Sequence, residues 1–143
     1  MFANTYANPR SRNASFGMMY RDIGMETALT DAGPHRLVAM LFDGWMEAVA
    51  RARGALQSGD RAAKAQAIRH AARIVEEGLR ANLNIKAGGK LARDLNDLYA
   101  HVALQLTIAN VRNDAAVLDH CVALMKPIQE AWAAIGNTPA AKN

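Results

Sequence analysis

The stretch PHRLVAMLFDGWMEAVARARGALQ, residues 34–57, decides the fold. Within it Leu37, Leu41, Trp45, Val49, Ala52 and Leu56 recur at spacings of four and three. That period puts all six on one side of an α-helix. Pro34 suits the first helical position, where its missing N–H would be unpaired anyway. Gly33 before it is the N-cap, weaker in that place than Ser or Thr, and Ser58-Gly59 ends the helix. Gly44 lies inside and costs about 1 kcal/mol relative to alanine. It marks either the close approach of a neighbouring helix or a place where a partner's backbone comes near.

Three further helices follow by the same reasoning. Asp60 caps a second helix running to about Ile85, with Ile68, Ala72, Val75, Leu79 and Leu83 on its face. The run Lys86-Ala87-Gly88-Gly89 breaks it. A third helix covers about Lys90 to Asn110, with Leu91, Leu95, Leu98, Val102, Leu106 and Ala109 in register. Asn113-Asp114 marks the next turn, and the fourth helix runs to about Ile135. Its Leu118, Cys121, Met125, Ile128, Trp132 and Ile135 alternate three and four, as a bundle seam does. Pro127 within it removes one backbone bond and predicts a kink near Ala123–Lys126. Four amphipathic helices with short connections predict an all-α, antiparallel, up-and-down four-helix bundle over residues 34–135. Residues 1–17 are polar and aperiodic and read as a disordered tail. Residues 18–33 form an apolar arm or short helix around Met18, Met19, Tyr20, Ile23 and Met25, and 136–143 a loose C-terminal tail.

The composition supports this and excludes several classes. At 143 residues the chain is one domain's worth, 51% apolar with only four prolines, which suits packed helices. No run of roughly 18 uncharged apolar residues exists, so no membrane span is expected. The N-terminus lacks a signal-peptide apolar core and reads as a cytoplasmic start. The single cysteine, Cys121, excludes an intramolecular disulfide and reads as a small buried hydrophobe. A net charge of +4 suggests weak attraction to something acidic. The basic residues are interleaved with acidic ones, and the partial stripe of Arg69, Arg73 and Arg80 reads as a solvated face. A basic helical module binding nucleic acid is the alternative, and it predicts affinity that falls steeply with salt.

No catalytic constellation is visible, and no cofactor is implied. Asp94, Asp97 and His101 share a flank of the third helix, and Asp119 and His120 could approach from the fourth. A di-metal bundle would require paired Glu-x-x-His motifs, which are missing. Ala87-Gly88-Gly89-Lys90 follows a helix rather than a strand and lacks the first glycine of a phosphate loop. The expectation is no enzyme and no metal.

Apolar residues exceed what one core needs. The first helix adds Val38, Met40, Phe42 and Met46, the third Leu104 and Ile108, the fourth Val117, Val122 and Leu124. Part of this surplus widens the core face. The rest must be covered by the arm, by a partner, or by each in turn.

From Tyr20 to about Ile135 the chain resembles the flagellin-specific secretion chaperones of bacterial flagellar export, the FliS family. The best segment is Asp31-Ala32-Gly33-Pro34-His35-Arg36-Leu37-Val38-Ala39-Met40-Leu41-Phe42-Asp43-Gly44. It is similar to the family's Thr-Ala-Ser-Pro-x-x-Leu-x-x-Met-Leu-Tyr-Asp-Gly signature. Gly88-Gly89, Leu95-x-x-Leu98-Tyr99, Ala109-Asn110-x-x-Asn113-Asp114 and Ala131-Trp132 follow in the family's order. Asp31, Gly33 and Phe42 depart from the pattern, as does Ala100-His101-Val102 where the family often has Asp-Tyr-Met. The resemblance implies binding of flagellin's disordered C-terminal segment, which blocks premature polymerisation, and docking at the cytoplasmic face of the export gate. It also implies an N-terminal cover, here Met18, Tyr20 and Ile23, over a groove assigned to Met40, Leu41, Met46, Leu104, Ile108 and Val117. Without its client the chain could pair with a second copy through the same surface.

Overall fold

The computed structural model describes residues 33–136, so the polar tail, the arm before Gly33 and the final seven residues lie outside the described residues. The described residues form four helices and no strand. Helix α1 spans Pro34–Ser58. It opens on Gly33 with no side-chain cap and closes on Gly59 at φ 76, in the left-handed region that glycine enters without strain. The N–H of Gly59 bonds the Leu56 carbonyl at 3.3 Å and that of Asp60 the Ala55 carbonyl at 2.9 Å, a Schellman closure. Asp60 then caps α2, its Oδ1 accepting from the Ala63 N–H at 3.0 Å.

Helix α2 spans Arg61–Arg73 and continues as a π-helical segment, Ile74–Arg80. The wider turn appears in the bond from the Ala81 N–H back to the Glu76 carbonyl, five residues earlier. The sequence reading carried α-helix to Ile85; the structure stops it earlier. Asn84 is the reason, because its side chain accepts from the Ala87 N–H at 3.0 Å and starts α3 at Ile85. Helix α3 spans Ile85–Arg112 with one non-helical residue, Gly89, at φ 57 and ψ −134. The glycine pair therefore breaks the helix one turn after its true start. Helix α4 spans Ala115–Gly136 and continues through Pro127. Pro127 and Ala123 are both exposed, so water can bond the carbonyl that the proline leaves unpaired. The predicted kink does not interrupt the helix.

Side-chain bridges fix the antiparallel order. His35, Asp43 and Arg53 of α1 engage Trp132, Gln129 and Asp119 of α4. Arg80 of α2 donates to Asn96 Oδ1 of α3 at 2.9 Å. Lys64 of α2 is buried, yet its Nζ donates to the Asn110 carbonyl at 2.9 Å and to Asn113 Oδ1 at 2.6 Å. It thereby closes the C-terminal end of α3. The core between the helices includes Leu41, Phe42, Trp45, Ile74, Val102, Leu106, Leu118 and Met125. Trp45 is buried with its indole N–H unpaired, which offsets part of what burying the ring contributes.

Candidate partner-binding surface

The surface assigned from sequence does not form one patch. Leu41 is a correction: it is 0% exposed, inside the core, and cannot touch a partner while the bundle is closed. It falls there because it is in register with Trp45 and Ala48 on the buried side of α1. Phe42, counted above as surplus, is buried as well. Met40 and Met46 are half-buried and pack against the core from opposite flanks of α1. Met46 lies two turns before Arg53, which bridges to Asp119 of α4. Met40 lies two turns before Glu47, whose charge acts on His70 of α2. Met18, Tyr20 and Ile23 lie outside the described residues.

Helices α3 and α4 hold the remaining three. Leu104 is 57% exposed, and Ile108 and Val117 are half-buried. Val111, seven residues past Leu104 and so on the same ridge of α3, is 77% exposed. The sequence reading missed it, although the Leu104, Ile108, Val111 spacing of four and three is the helical signal. Leu91 and Ile135 were read as seam residues. Leu91 is in register with the seam but 68% exposed, and Ile135 is 50% exposed. Leu95 and Leu98 between Leu91 and buried Val102 are half-buried. The seam therefore opens gradually toward the end of the bundle where α3 starts and α4 finishes.

A ring contact fixes the register of α3 on α4: His101 and His120 meet edge to face, centroids 6.0 Å apart. One turn before and two turns after His101 come Leu98 and Ile108; flanking His120 come Val117 and Leu124. All four are half-buried. The α3–α4 face is thus an apolar strip with two imidazoles at its middle and the exposed Leu104–Val111 ridge beside it.

Reactive chemistry is muted in this setting. Among the described residues no three His, Cys, Asp or Glu side chains are placed to hold a metal ion. Burial pushes the Cys121 thiol up to about 11, away from the thiolate a nucleophile needs. The bond to Arg53 holds the Asp119 carboxyl below its usual value. Desolvation, then the charge of Arg51, lowers His70. The arginine stripe is neutralised in place: Arg73 pairs with Glu77 and Arg80 with Glu76. No described helix is long and apolar enough to cross a membrane.

The geometry is that of an all-α bundle with apolar side chains exposed along one face, and comparison with known proteins gives its family. The family model for "Flagellar protein FliS" matches residues 17–139. The chain belongs to the FliS family. It is 41% identical over 113 residues to the flagellar secretion chaperone FliS of Salmonella typhimurium, covering 79% of this chain and 84% of that protein. To the FliS of Escherichia coli K12 it is 36% identical, covering 79% and 83%. To the flagellar secretion chaperone FliSB of Pseudomonas aeruginosa it is 36% identical over 118 residues, covering 82% and 93%. The α1 signature and the Asn113-Asp114 corner, on which the resemblance rested, both lie inside the span that the FliS family model matches.

Proposed function

We propose that this FliS-family chain is a non-enzymatic cytoplasmic chaperone whose client is flagellin. It captures the disordered C-terminal segment of flagellin, keeps it from polymerising, and presents it to the export gate. The observation that carries the reading is the apolar exposure along the α3–α4 face, at Leu104 and Val111 of α3 and Ile135 of α4. An amphipathic segment laid there would bury its apolar side against this strip. Ordering a disordered client costs free energy, so an extended contact suits it better than a small pocket. Met18, Tyr20 and Ile23 are the cover that the client displaces. Met46 belongs to a second contact, on the α1–α4 flank, and where the arm leaves the strip open a second copy of the free chain pairs there.

Titration calorimetry with the C-terminal segment of flagellin tests this. Leu104→Asp and Val111→Asp should weaken binding at least tenfold with little change in melting temperature, since both side chains already face water. Leu106→Ala, inside the core at 0% exposure, should act mainly on stability, by about 2–5 kcal/mol, through the cavity it leaves. Capture by this strip fails as a reading if the two aspartate variants bind like the unmodified protein.

A further inference from the structure

The two imidazoles at the centre of the α3–α4 strip have no role in packing the core. Both rings are exposed, and they are arranged edge to face across the two helices. Apolar side chains lie on either side of them along the strip: Ile108 and Val117 toward the Asn113 corner, Leu98 and Leu124 toward the other end. A wholly apolar helix docked here would strip water from two imidazoles and give nothing back, and an unpaired polar group away from water is costly. We propose that His101 and His120 select the docking segment: they require an amphipathic helix whose apolar side is interrupted at one point by a carboxylate. This rests on client capture by the α3–α4 face and specifies the chemistry of the client segment.

Charge complementarity favours a carboxylate over a cation or an amide at that point. Each neutral imidazole offers one N–H donor, and a carboxylate has lone pairs enough for both. A bond from an imidazole N–H to a carboxylate is charge-assisted and stronger than one to a neutral amide oxygen. The neighbouring carboxylates leave room for this. Asp94 is held by Lys90 at 2.7 Å, and Asp119 by Arg53 at 2.7 Å on the α1 side of α4. Asp97 lies one turn before His101 on α3 and Arg112 one turn after Ile108; on α4 the positions around His120, at Ala116, Ala123, Leu124 and Pro127, are uncharged, and Glu130 lies three residues beyond Pro127. The carboxylate must be followed and preceded, within one or two turns, by the apolar residues that meet Ile108, Val117, Leu98 and Leu124. A membrane surface is disfavoured because a broad anionic plane would meet Asp97 and Glu130 together, whereas a single carboxylate on a helix can sit between the two imidazoles.

A double-mutant cycle in the full-length chain tests the proposal. The probe is the C-terminal segment of flagellin, with each Asp and Glu of its amphipathic helices changed to Leu one at a time. One such change should weaken binding about tenfold or more to the unmodified chain. That difference should vanish in the His101→Phe, His120→Phe double variant, which keeps its helicity because both positions are exposed. His101→Gln with His120→Gln, which retains amide donors, should restore part of it. If no carboxylate change costs more against the unmodified chain than against the phenylalanine variant, the proposal is overturned. Binding that survives Leu104→Asp undiminished would instead remove the client face itself, a separate failure. Equal binding to anionic and neutral vesicles is expected; preferential binding to the anionic ones would assign the strip to lipid and overturn the proposal.

Discussion

Lys64 is the residue whose behaviour its type alone would not suggest. Lysine is rarely buried unless it is paired, and here its ammonium closes the far end of the next helix, α3. Its two bonds go to the Asn110 carbonyl and to the side chain of Asn113, which itself adopts φ 53. Lys64→Ala would leave both acceptors short of a donor beneath the α2 backbone. The expected loss is about 1–3 kcal/mol of folding stability, read as a lower midpoint in urea. Lys64→Arg should not restore it, because a planar guanidinium cannot occupy the compact site of an ammonium. The sequence pattern showed Asn113-Asp114 as a turn but not what Lys64 does there. A lysine on the second helix looks like any solvated charge until the third helix is laid beside it.

At the scale of elements, glycines divide into those the fold needs and those it tolerates. Gly89 sits at φ 57, ψ −134, where a Cβ is strained whatever the space, and it separates the Asn84-capped first turn from the rest of α3. Gly89→Ala should cost about 1–3 kcal/mol. Gly54 lies within α1, exposed, with nothing near the position of an added Cβ. Gly54→Ala should stabilise by up to about 1 kcal/mol. Thermal unfolding of the two variants side by side checks the contrast in sign. Helix α1 was readable from end to end, because Pro34 and Ser58-Gly59 punctuate it. The end of α2 was not. Ile74, Val75, Gly78 and Leu79 are apolar or small in a pattern that fits an α-turn and a π-turn equally, and Asn84 was hidden as a cap by the louder Gly88-Gly89. For the partner surface, Leu104, Ile108 and Val117 were legible as surplus over one seam. Leu41 was misplaced because an apolar residue in register looks the same whether or not its neighbour reaches it. Leu91 and Ile135 went the other way for the same reason: both keep the spacing of the seam, yet at the end of the bundle they stay 68% and 50% exposed.

At the scale of the whole molecule, two buried acids among the described residues weaken the fold on the alkaline side. Burial raises the Cys121 thiol to about 11 and the Tyr99 hydroxyl to about 12, above their ordinary values of 9.0 and 10.0. The unfolded chain therefore gives up these protons first. The stability that the neutral groups contribute is fully present below pH 9.0 and declines as the pH climbs toward 12. Melting temperature against pH should fall across that window. Cys121→Ala should move the onset of the fall from the thiol's ordinary value of 9.0 to the phenol's 10.0, at some cost in packing. Asp119 acts oppositely at the acid end: held low by Arg53, it favours the folded state above its ordinary value of 3.8 and loses that preference as the pH falls.

The stack of His35 on Trp132 has a topological corollary. The rings lie 4.7 Å apart and nearly parallel, the indole N–H donates to the His35 carbonyl at 2.9 Å, and His35 Nε2 lies 2.6 Å from the Trp132 carbonyl. Gly136 is pressed so closely on the His35 ring that a Cβ there would collide with it. The first and last residues of the bundle thus abut, and its backbone is almost a closed ring. A short linker could splice Gly136 to Gly33 and a new opening be cut at the exposed Ser58–Asp60 turn, giving a circular permutant with every helix in place.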